Sequence, residues 1–305
     1  MSKTKILLDT DIGSDIDDSI ALAYLLKQTK FDLLGITTCT GDTQQRAALA
    51  AAVCEAAGRG DIPIHAGAKG PFFHGPGQNS VPQYEALAGR AHRKNFPADA
   101  IQFLQQTIRA NPGEVTLLAI GPLTNLALLF RMDPEIPSLL GQLVLMSGTF
   151  TGFPADQHGQ HGSGPGDKEW NVRCDPYASA VVYEANCPNH LSVGLDVTQR
   201  CQLTSDEARR RFMEGKDPLP LVGEFAEIWF RERPYTTFHD PLAAAVIAEP
   251  ELCRYQSGRV RVETDSPYLR GVTTFNPDSV QQLHRIAIDV DTQAFLDHYF
   301  AVVNA

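Results

Sequence analysis

Short apolar runs alternate with longer stretches of helical periodicity along most of this chain. Residues 6–8, Ile-Leu-Leu, read as a buried strand, and residues 20–26 read as a helix. Residues 31–38 form a second strand-like run, and 44–57 is an Ala-rich helical stretch ended at Gly58. A short strand is expected at 62–65, then a helix at 98–110, stopped by Asn111-Pro112-Gly113. Residues 115–120 are a buried strand that turns at Gly121-Pro122 into a helix over 123–130, and 143–147 is another strand. Later stretches predict helices at 205–213, 221–231 and from His239-Asp240-Pro241 onward, a strand at 285–290 and a helix over 291–303. This β-α-β-α order predicts an α/β fold: a mostly parallel central sheet with helices on both faces, in one domain spanning residues 1–305. Two segments break the rhythm, 71–82 and 148–166. Both are too long and irregular for simple connections, and such loops are often functional.

Composition narrows the partners. A net charge of -10 supplies no basic surface for a nucleic acid or for anionic lipid. No apolar run reaches the length needed to cross a bilayer, and residues 1–5 show no secretory leader pattern. The cysteines at 39, 54, 174, 187, 201 and 253 form no CxxC pair. Reduced thiols in a cytoplasmic enzyme are therefore expected.

The densest chemistry lies between the first strand and the first helix. Asp9, Asp11, Asp15, Asp17 and Asp18 crowd one strand-to-helix turn. In open α/β sheets ligands bind beyond the carboxyl ends of the strands. Aspartates also cap helices, which accounts for one or two of them but not for five. Their repulsion calls for a cation, and oxygen-only donors favour Ca²⁺ or Mg²⁺. The Gly at the fifth place and the lack of a closing Glu argue against an EF-hand.

Other constellations are weaker alone. His239-Asp240-Pro241 sets a titratable donor beside an oxygen ligand at a helix start. Glu169 and Asn171, two apart in a segment read as extended, point to one side and suit a polyol. After the strand ending at Ile120, Thr124 or Asn125 is expected to cap the next helix. Gly41-Asp42 ends the second strand in a similar way.

Together these segments resemble the inosine–uridine-preferring nucleoside hydrolase family. The opening resembles its D-x-D-x-G-x-D-D signature, Gly121-Pro122-Leu123-Thr124-Asn125 its G-x-L-T-N turn, Glu169-Trp170-Asn171 with Asp175-Pro176 and Ala178 its E-F-N…D-P-x-A segment, and His239-Asp240-Pro241-Leu242-Ala243 its H-D-P-L-A segment. The matches occur in family order from about residue 5 to 245. The resemblance implies a Rossmann-like core and a Ca²⁺ ion at the pocket bottom that chelates the ribose hydroxyls and the attacking water. It implies Asp11 as a metal ligand and the base, with Asp18, Asp240 and the carbonyl of Ile120 as further ligands. Asp17, Glu169 and Asn171 would hold the sugar, and His239 would protonate or polarise the departing base. It also implies a small-molecule nucleoside substrate and a homodimer or homotetramer.

Departures from the family pattern stand out. Two extra residues, Asp15-Ile16, precede Asp17-Asp18, and Asp15 inherits no role. Asp42 stands where the family commonly has Gly-Asn and is expected to contact the sugar. Ser163 is a loose counterpart of the family's Asn-containing loop. Residues 233–238 do not match the usual base pocket, with Tyr235 or Phe238 as candidates to stack on a base. Two other classes compete: a D-x-D phosphohydrolase with an aspartyl nucleophile at Asp9, and a non-catalytic nucleoside- or sugar-binding protein.

Overall fold

The computed structural model describes residues 3–151 and 167–305. Strands β1 (Thr4–Thr10), β2 (Phe31–Thr38) and β3 (Ile64–Ala66) alternate with helices α1 (Asp17–Lys27) and α2 (Thr43–Ala56). Then come α3 (Ala100–Ala110), β4 (Val115–Ala119), α4 (Thr124–Met132), α5 (Ile136–Leu139) and β5 (Gln142–Met146). Helices α6 (Trp170–Cys174) and α7 (Pro176–Glu184) precede β6 (His190–Val193) and α8 (Leu195–Thr198). A small two-stranded antiparallel sheet of β7 (Gln202–Thr204) and β8 (Tyr235–Thr237) brackets α9 (Ser205–Met213) and α10 (Leu219–Trp229). Helix α11 (His239–Ala248), strands β9 (Cys253–Val262), β10 (Thr273–Asn276) and β11 (His284–Val290), and α12 (Thr292–Val303) complete the chain.

The main sheet has nine strands in the order β10-β9-β11-β6-β5-β4-β1-β2-β3. From β11 to β3 every pairing is parallel, and β9 and β10 add an antiparallel edge. The mostly parallel sheet expected from the alternation is present. Strand β1 shows why both faces are covered: Ile6 and Leu8 join one buried apolar layer and Leu7 the other. Among the described residues no helix is long and apolar enough to cross a membrane.

The strand order sets the site. From β1 the chain builds outward through β2 and β3, then returns to lay β4 on the other side of β1. The carboxyl ends of β1 and β4 therefore flank a topological switch point, the usual ligand crevice of an open α/β sheet.

Several local expectations are revised. Glu169 is not in an extended pair with Asn171, because its carboxylate caps α6 and Trp170 is already helical. Neither Thr124 nor Asn125 caps α4: the cap is Leu123, without a side-chain bond. Strands β6, β9 and β10 escaped the sequence patterns. The 148–166 loop lies, from residue 152 on, outside the described residues, and Ser163 with it.

Candidate active site

The chain leaves β1 through residues 11–16 and re-enters order at α1. Gly13 makes this turn possible: its φ is +116°, and a Cβ there would sit 2.6 Å from both Leu49 Cδ1 and Val81 Cγ1. The turn opens into a cavity of about 680 Å³. Asp11, Asp15, Asp17, Asp18, Ile120, Glu169, Asn171, His239 and Asp240 all line it. Residues far apart in sequence thus converge on the switch point.

Asp9 lies beneath the cavity and does not line it. Its Oδ1 accepts hydrogen bonds from Thr37 Oγ1 at 2.5 Å and Asn125 Nδ2 at 2.7 Å. Burial lifts its pKa to about 7. This is a brace between β1, β2 and α4, and a fully buried carboxylate there has no access to a phosphoester.

Carboxylate oxygens of Asp17, Asp18 and Asp240 lie within 4.8 Å of one another. The helices α1 and α11 point their N-termini at this trio, and the Asp240 main-chain N–H donates to Asp17. The Thr10 hydroxyl donates to Asp18. Burial first, then mutual repulsion, pushes all three carboxyls well above their ordinary range. Burial also raises Asp11, with partial relief from the nearby Arg46 guanidinium. A buried, crowded, oxygen-only donor set of this kind fits a hard divalent cation. Asp11 and the carbonyl of Ile120 share the cavity, although the closest group includes Asp17 rather than Asp11.

Asp15 lines the cavity as well, with its Oδ1 accepting from the Ile16 N–H at 2.5 Å and its pKa lifted by burial to about 7. Glu169 accepts from the main-chain N–H groups of Asn171, Val172 and Gly148, and burial lifts it too to about 7. Asn171 Nδ2 donates to the carbonyls of Ile120 at 2.9 Å and Met146 at 3.1 Å, tying α6 to the ends of β4 and β5. His239 Nδ1 pairs with Thr198 Oγ1 at 2.7 Å, which leaves Nε2 as its cavity-facing nitrogen. Burial holds this imidazole down to about 4, so it is neutral at physiological pH.

Asp42 stands apart. Its Oδ1 accepts from the N–H groups of Gln44 and Gln45 as the cap of α2, and it does not line the cavity. Phe238 is fully buried against Phe295, Tyr299 and Phe300, and Tyr235 is likewise absent from the cavity wall. The aromatic walls are instead Trp170 and Trp229. Trp229 is fixed by its Nε1–H bond to the Tyr235 carbonyl, 3.0 Å, and Arg233 lies over its ring. The polar rim adds Gln78, Ser80, Glu85, Arg231 and Arg233. The irregular composition of residues 71–82 was the available signal for Gln78 and Ser80.

Fold and site define an α/β enzyme with a carboxylate-walled pocket at its switch point, built for a small polar substrate. A sequence profile of the inosine-uridine preferring nucleoside hydrolases matches residues 6–297, and the chain belongs to that family. It is 31% identical to uridine nucleosidase 1 of Arabidopsis thaliana over 281 residues, 85% of this chain and 78% of that protein. It is 27% identical to the pyrimidine-specific ribonucleoside hydrolase RihA of Citrobacter koseri, covering 96% of this chain and 95% of that one. The plant nucleoside hydrolase PpNRh1 superposes with a TM-score of 0.82 at 25% identity, covering 99% of both chains. An inosine-guanosine nucleoside hydrolase shares the fold, with a TM-score of 0.80 at 23% identity over 98% of both chains. The protein is thus a nucleoside hydrolase, an enzyme that cleaves N-glycosidic bonds.

Proposed function

We propose that this enzyme hydrolyses ribonucleosides to ribose and free base with Ca²⁺ bound among Asp11, Asp18, Asp240 and the Ile120 carbonyl. The observation that carries this is the convergence of those groups with Glu169, Asn171 and His239 in one cavity at the switch point. A divalent cation held there supplies Lewis-acid polarisation of water and of sugar hydroxyls. Asp11 takes the proton of the attacking water, whose oxygen bonds to the anomeric carbon as the carbon–nitrogen bond breaks. Asp17, Glu169 and Asn171 hold the sugar hydroxyls. The surrounding carboxylates favour the positive charge that builds on the ring. Neutral His239 polarises the leaving base through a hydrogen bond from Nε2–H, held in direction by Thr198, and the departing base takes its proton from solvent. Asp42 takes no part in this scheme, because it is occupied as a helix cap.

The nine-stranded sheet, with apolar layers on both faces, supports one domain acting as a unit. The cysteines, all unpaired and buried, support a cytoplasmic, reducing setting. Exposed Phe73, Tyr268 and Leu269 support a homodimer or homotetramer. A panel of purine and pyrimidine nucleosides, with Ca²⁺ and after its removal, scored for release of reducing sugar, tests the activity. Release that is indifferent to chelation refutes the cation role, and no release from any riboside refutes the substrate class.

A further inference from the structure

Arg46 has the largest of the fully buried side chains, at 0% exposure, and sits directly behind the acidic turn. It lies near the N-terminal end of α2, where both burial and the helix dipole disfavour a cation. No carboxylate pairs with it in an ion pair among the described residues. Its guanidinium instead donates to oxygens of three separate segments. Nη1 donates to the carbonyls of Asp11 and Ile12 and to Ser14 Oγ. Nη2 donates to the carbonyls of Gln78 at 2.9 Å and Ser80 at 3.3 Å. Nε donates to the Thr40 carbonyl at 2.8 Å.

Four of these six acceptor residues line the cavity. Asp11 and Ser14 belong to the carboxylate side, and Gln78 and Ser80 to the loop facing it. Thr40 holds a left-handed backbone, φ 60°, a conformation a β-branched residue adopts only when its surroundings impose it. The Gln78 N–H donates to the Thr40 hydroxyl, closing the same network. Only a planar fork with several fixed donors reaches all three segments at once; a lysine ammonium reaches fewer and fixes no plane.

We infer that Arg46 is a positioning residue for nucleoside hydrolysis, a clamp whose fork sets Asp11 against the 78–80 wall. The inference rests on the proposed Ca²⁺-dependent ribosidase function, and its test separates the two. Arg46→Lys and Arg46→Gln are compared with the parent enzyme in saturating Ca²⁺, using p-nitrophenyl riboside. Three readouts are taken on folded protein: kcat and KM, the midpoint of Ca²⁺ binding by calorimetry, and amide exchange at residues 11–16 and 78–83. Displacement of a catalytic group by about 1 Å costs on the order of 100-fold in rate, and a fall in kcat of that size is expected from both variants. The Ca²⁺ midpoint rises about tenfold, the scale of a lost supporting contact at a metal site, and exchange rises in both segments. If kcat and the Ca²⁺ midpoint of both folded variants stay within about threefold of the parent, Arg46 only fills space and the inference fails. Rescue of kcat by lysine alone assigns the effect to charge and also overturns it. If the parent cleaves no riboside, the functional proposal fails by itself, and the Ca²⁺ midpoint and exchange data still decide Arg46.

Discussion

If Ca²⁺ binds as proposed, its binding should be linked to protons, and the raised carboxyls set the direction of the linkage. The perturbation is removal of the cation by chelation, followed by titration with Ca²⁺ at about pH 5, 6 and 7. Asp15 and Glu169 line the cavity with pKa values raised by burial to about 7, and Asp17, Asp18 and Asp240 lie well above their ordinary range. A raised carboxyl favours the protonated cation-free fold. That contribution is fully present below the unfolded value near 4 and is lost as pH rises through 7. A cation bound as proposed would meet the ionised cluster and displace these protons at low pH. If binding releases only one proton, affinity strengthens about 10-fold per pH unit, or about 2.7 kcal/mol between pH 5 and 7. For a chain of 305 residues, that is about 4 °C in the Ca²⁺-induced rise of Tm. The increment is the readout, because absolute Tm carries an opposing effect. Burial lowers His190 well below its ordinary value and His284 to about 4, so the fold also loses stability as pH falls below about 6.5. Scanning calorimetry with and without Ca²⁺ at each pH measures it. A Tm increment equal at pH 5 and 7, or larger at pH 5, refutes proton displacement from this cluster.

Other outcomes test single residues. Asp11→Asn should abolish turnover while the protein stays folded, as steady-state kinetics beside circular dichroism will show. His239→Ala should cut hydrolysis of inosine far more than of p-nitrophenyl riboside, whose leaving group needs no proton; equal losses refute the donor role. Asp42→Ala should cost about 1 kcal/mol in urea melts by removing the α2 cap, with kcat and KM unchanged. His190, whose ring nitrogens have no hydrogen-bond partner, stacks on Tyr183. His190→Phe should therefore raise Tm at about pH 5 and change it much less at about pH 8, where the imidazole is neutral in both states.

The α/β alternation was legible because buried parallel strands and amphipathic helices have different periods in the sequence. The carboxylate cluster was legible because its density exceeds what capping needs. What escaped depends on groups without a local pattern. β9 carries Arg254, Gln256 and Arg259 and a central Gly258, so its half-exposed antiparallel edge showed no apolar run. Asp42 and Glu169 were both expected at the sugar; both are helix caps, but only Glu169 also reaches the cavity. Sequence spacing cannot separate those cases, since both satisfy nearby N–H groups. Arg46 was invisible because all its partners but Ser14 Oγ are main-chain oxygens, which no side-chain motif records. Trp229 and not Tyr235 is the aromatic wall: Tyr235 lies in β8, and its carbonyl accepts from the Trp229 indole N–H.

The pairing of α1 with α11 also bears on the order in which the protein is made. Asp17 and Asp18 leave the ribosome early, whereas Asp240, which completes their trio, follows only after most of the chain. Domains generally begin to organise from the N-terminal side during synthesis. Until α11 docks, Asp17 and Asp18 lack their third partner, Asp240. Phe238, just before α11, packs among Phe295, Tyr299 and Phe300, so α11 gains its apolar partners only when the last helix has emerged. Under the proposed function, cation capture waits on the docking of α11, and polypeptides cut short before residue 239 lack one carboxylate of the trio.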